Sequence, residues 1–73
     1  MEYRILDKTG DTKVIFDKDV EEEVEAAKAQ FDVLREKGFH AFLVKKDGTA
    51  GREVKNFSEK AERYIFVPAL VGG

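Results

Sequence analysis

The spacing of apolar residues changes along this chain, and each change marks an element. In residues 3–6 they alternate, with Tyr3 and Ile5 on one face and Arg4 and Leu6 on the other, the period of a strand. Asp7-Lys8-Thr9-Gly10-Asp11 supplies turn chemistry and Val14-Ile15-Phe16 a second strand, so residues 3–16 read as a hairpin. The period then lengthens. Val20, Val24, Ala27, Phe31 and Leu34 recur at spacings of four and three, which draws one apolar stripe along a helix. Asp19 is the expected N-cap, and Glu22, three residues on, completes a capping box with Asp in place of Ser or Thr. Glu21, Glu22 and Glu23 meet the positive end of the helix dipole. Gly38 is placed to take the left-handed conformation that ends the helix.

Residues 39–45, apolar at nearly every position, predict a third strand that is central and covered on part of both faces. Asp47-Gly48 is a hairpin turn, and Gly51 is expected in the same turn. Residues 53–57 form a weaker fourth strand, Ser58 caps a single helical turn over 58–62, and residues 64–67 are the last strand, ended by Pro68. The order is β-β-α-β-β-β: an α+β chain with one helix packed on a mixed sheet. The expected core is Ile5, Val14, Phe16, Val20, Val24, Ala27, Phe31, Leu34, Ala41, Leu43, Ile65 and Val67. Residues 1–67 make a single domain, and residues 68–73 an extended C-terminal tail.

Composition narrows the classes of function. Seventy-three residues make one small domain. A core of that size supplies roughly 3–5 kcal/mol of net stability. There is no cysteine, which excludes disulfides, thiolate nucleophiles and zinc-thiolate sites and suits a reducing compartment. No apolar run approaches a membrane span and Met1-Glu2-Tyr3-Arg4 has no signal-peptide pattern, so the expectation is a cytoplasmic protein without membrane contact. A net charge of −2 exerts no general pull on nucleic acid.

The C-terminal residues carry the most specific pattern. Tyr64-Ile65-Phe66-Val67 runs into Pro68, and Ala69-Leu70-Val71 leads to Gly72-Gly73. Glycine brings no side chain to a core, so such a pair suits a narrow enzyme channel that reaches for a terminal carboxylate. With its N-terminal hairpin, helix, further strands and diglycine, the chain resembles the ubiquitin-like β-grasp family. The tail is similar to that of the prokaryotic sulfur carriers, such as the small subunit of molybdopterin synthase. Their ends carry two prolines, two variable residues and two glycines. Phe66-Val67-Pro68 and Gly72-Gly73 match at that spacing, with Ala69 where the second proline would stand. The resemblance implies a non-catalytic protein whose terminal carboxylate is adenylated by an activating enzyme and then carries sulfur or is joined to an amine. In that role Gly72 and Gly73 are the acceptor end, Pro68 the stiff exit, and Ala69, Leu70 and Val71 the tail contacts. An extended chain from Pro68 to Gly73 reaches about 20 Å. The chain also resembles small phage- and prophage-encoded proteins, which implies the alternative of an assembly adaptor that binds through a sheet edge, without tail chemistry.

Other candidates compete with plainer readings. His40, the single histidine, lies in an apolar strand and reads as a packed or half-exposed strand residue rather than a base, and Ser58, the single serine, has no histidine near it in sequence. Asp17, Asp19 and Glu21 imitate the opening of a calcium loop, but Glu22 stands at the required glycine and Lys28 at the closing glutamate. No catalytic residue, metal ligand or cofactor site is expected. Lys45, Lys46, Arg52 and Lys55 gather around the second hairpin, either as an anion-binding edge or as lysine protection against strand pairing.

Overall fold

In the computed structural model, which describes residues 1–69, the expected hairpin is built from β1 (Glu2–Asp7) and β2 (Gly10–Ile15). Its two-residue loop is held by Asp7, whose Oδ1 accepts from the Thr9 amide at 2.8 Å and the Thr9 hydroxyl at 2.6 Å. The same device closes the second turn, where Asp47 Oδ1 accepts from both groups of Thr49. Short polar side chains offer such local partners to turn amides that no ladder satisfies.

Helix α1 (Glu21–Glu36) follows the predicted stripe, with Ala27, Phe31 and Leu34 buried and Val20 and Val24 half-buried. Its start differs from expectation. Val20 is the N-cap residue and makes no side-chain cap. The acids act one step earlier: Asp17 Oδ1 accepts from the Asp19 amide at 2.9 Å, and Glu23 Oε1 accepts from the Asp17 amide at 2.8 Å. Glu23, rather than Glu22, is thus the carboxylate that reaches back. The helix ends as expected, with Gly38 at φ +95°, where a Cβ would be strained.

Strands β3 (Phe39–Val44), β4 (Ala50–Val54) and β5 (Arg63–Pro68) complete one five-stranded mixed sheet in the order β2-β1-β5-β3-β4. β5 lies at its centre, parallel to β1 and antiparallel to β3. β4 starts three residues earlier than predicted. A register shift between Phe42 and Val44 brings Ala50 opposite Val44, and Gly51 falls inside the strand rather than in the turn. There the backbones close up: a Cβ on Gly51 would stand 2.9 Å from the Leu43 carbonyl oxygen. Residues 58–62 form a turn, not a helix. Tyr64 holds this turn from inside, as the Ser58 amide donates to its Oη at 2.9 Å and Oη donates to the Ser58 carbonyl at 3.3 Å.

The helix covers one face of the sheet. Beneath it Tyr3, Phe31, Tyr64 and Phe66 are fully buried, with ring centroids 4.9–6.1 Å apart in tilted and edge-on pairs. The core therefore takes Tyr64 and Phe66 from β5 where Ile65 and Val67 were expected. An uninterrupted apolar strand gives no facing signal of its own. The parallel register settles it, since Tyr64 lies beside Tyr3 and Phe66 beside Ile5, both inward. The Tyr3 hydroxyl donates to the Ala27 carbonyl at 2.6 Å and ties β1 to the helix.

Candidate functional site

The chain leaves the sheet from its centre. Pro68 is the last residue of β5 and sits opposite Phe39, and the Ala69 amide donates to the Gly38 carbonyl at 3.0 Å. Of the predicted tail residues, Pro68 and Ala69 are thus seated beside the helix-to-β3 corner. Leu70, Val71, Gly72 and Gly73 lie outside the described residues.

On the face away from the helix, no other element covers the sheet among the described residues. Arg4, Ile65, Phe42 and Glu53 stand side by side across β1, β5, β3 and β4. Ile15 on β2 is 66% exposed and Leu6 on β1 36% exposed. Around Glu2 a charged network crosses three strands, with Arg63 Nε at 3.3 Å, Arg4 Nε at 3.5 Å and Lys13 Nζ at 3.9 Å. At the other side of the sheet His40 Nδ1 lies 2.6 Å from Glu53 Oε2, with Arg35 at 4.0 Å from the same oxygen. Bonding to His40, then its charge and that of Arg35, hold the Glu53 carboxyl below its ordinary range. His40 is exposed at the sheet surface, hydrogen-bonded to Glu53, and the Ser58 hydroxyl accepts from the Lys60 amide at 3.3 Å instead of meeting a histidine.

The predicted basic residues divide. Lys45, Lys46 and Arg52 come together with Arg63 along an open groove of about 750 Å³ at the end of the sheet where β5 begins. Lys55 lies in a second hollow with Phe57 and Tyr64, and Arg52 lines both. Arg63 was missed in the sequence because it is distant from the hairpin lysines and joins them only through the central placement of β5. Groove and chain exit stand at opposite ends of that strand, about 17 Å apart by strand rise. No group of three or more His, Asp or Glu side chains able to hold a metal occurs among the described residues, the Asp17, Asp19 and Glu21 triplet included. No helix among them is long and apolar enough to cross a membrane.

No family model matches the chain, and neither a curated protein nor a solved structure is significantly similar to it.

Proposed function

We propose that this chain is a small non-catalytic docking protein of ubiquitin-like β-grasp type, which presents its C-terminal diglycine to an adenylating partner as a sulfur carrier or protein modifier. The observation that carries the reading is the placement of β5. The strand that leads into the tail is clasped on both sides, by β1 and by β3, and it releases the chain at Ala69, at the sheet's end. A root held between two strands leaves fewer residues to order on docking, which lowers its entropic cost. The strand order and the parallel β1–β5 pair are compatible with the fold that the sequence resembles.

The test is intact-mass measurement of the purified chain after incubation with ATP, a sulfur donor and extract of its host cell. Formation of a terminal thiocarboxylate, or of a conjugate joined through Gly73, is the expected result. An unchanged mass, with a variant lacking Gly72-Gly73 fully functional in the cell, rules the reading out.

The exposed apolar side chains of the open face favour a second reading, an assembly adaptor without tail chemistry. In that case Ile15→Asp abolishes co-elution with the partner while removal of Gly72-Gly73 leaves it intact.

A further inference from the structure

We propose that the groove at the head of β5 binds an acidic, partly apolar peptide segment of a partner protein. Lys45, Lys46 and Arg52 line it and form no ion pair among the described residues. The two carboxylates that also line it are already engaged. Glu2 is shared by Arg63, Arg4 and Lys13, and Glu62 pairs with Lys18 at 2.8 Å. Three unmatched cations therefore crowd one site of a chain whose net charge is −2. They repel one another until carboxylates are brought to them.

Charge complementarity alone would also accept a small anion, and the rest of the groove argues for a peptide. Its volume of about 750 Å³ falls in the range of sites that enclose ligands of many atoms. Ile15, Leu43 and Val44 contribute apolar surface to the same groove, and Ile15 is 66% exposed. Such surface gains from covering by side chains, which an inorganic anion lacks. The lining runs across the end of the sheet from Ile15 on β2 to Arg52 on β4, a span that an extended peptide can follow and a small anion cannot. A nucleic acid finds no aromatic platform, because no aromatic side chain lines this groove among the described residues.

A fluorescence-anisotropy titration tests the proposal, using the full chain and a short fluorescein-labelled peptide that alternates aspartate with leucine. Binding saturates and weakens as salt is raised. The triple variant K45E/K46E/R52E loses about tenfold or more in affinity, the sum expected for three exposed charge pairs. Ile15→Ser weakens binding several-fold at unchanged salt dependence. Since the triple change removes no ion pair, its thermal melt stays close to the parent's, and K45Q/K46Q/R52Q serves where reversal disturbs folding. A chain lacking Gly72-Gly73 binds as well as the full chain, which separates this site from the proposed tail chemistry. The proposal is overturned by absence of saturable binding, equal affinity in the triple variants, or equal affinity for an all-aspartate peptide. Displacement of the peptide by matched inorganic phosphate, or tighter binding of a single-stranded oligonucleotide, overturns it too.

Discussion

Tyr3 joins two layers through one proton. Its hydroxyl is buried against the helix and donates to the Ala27 carbonyl, so Tyr3→Phe keeps the ring and removes the bond. Such a loss costs about 0.5–1.5 kcal/mol, read as a lower urea midpoint at unchanged slope. Burial drives the Tyr3 phenol far up, and burial also raises that of Tyr64. A raised folded value favours the protonated form. The stability these phenols contribute is thus present below the ordinary value of about 10 and lost as pH climbs through the raised ones. Tyrosinate absorbance should accordingly appear late in an alkaline titration, together with loss of the folded circular-dichroism signal. Gly51 is a second single-residue control. Gly51→Ala sets a methyl group against the Leu43 carbonyl, where backbone rather than a flexible side chain must give way. A cost of about 1–3 kcal/mol is expected by thermal melting.

Among the elements, the helix was the most legible in sequence, because a stripe of five apolar residues at spacings of four and three admits one period. Its end was legible too, through Gly38. Its start was not, since Asp17, Asp19, Glu22 and Glu23 all offer carboxylates and only the fold of residues 17–20 decides which reach an amide. β5 shows the same limit more sharply. Four consecutive apolar residues do not say which pair faces inward, and the answer came from register against β1. Substitutions measure that choice. Phe66→Ala removes a fully buried ring and costs about 3–5 kcal/mol, as much as a core of this size supplies, so the variant is largely unfolded at room temperature. Ile65→Ala, on the open face, costs less than half as much and leaves a cooperative melt. Equal losses at the two positions would contradict the assignment of faces. The candidate sites were legible in part. The lysines and Arg52 of the second hairpin stood out as a cluster, whereas Arg63 and the apolar floor reached them only through long-range pairing.

At the scale of the whole molecule, acid stability rests on turn and surface carboxylates. Bonds from Thr9 and Thr49 hold Asp7 and Asp47 below the usual range, Lys18 does so for Glu62 and His40 for Glu53. Folded values below unfolded ones contribute stability that is complete above the unfolded range near pH 4 and is lost as pH falls through the lower folded values. The urea midpoint is therefore insensitive to these groups between about pH 5 and 7 and declines in more acid solution. The double variant D7N/D47N shows a shallower decline, and an identical acid profile would remove the two turns as its cause. All four groups are exposed, so salt should blunt the contributions of Glu53 and Glu62, which involve charged partners, more than those of the two aspartates.

The central position of β5 has a consequence for biosynthesis. β1 and β3, made early, have no direct contact as sheet neighbours, and each waits for a partner specified by residues 63–68. Until β5 is available, the two hairpins lack the strand that joins them into one sheet and share only the helix, their aromatic residues open to chaperones and proteases. The domain then closes in one late step, once β5 is free to slide between the halves. Pulse proteolysis of chains stalled behind a C-terminal linker of increasing length should show protection arising abruptly as residues 63–68 emerge rather than growing with length.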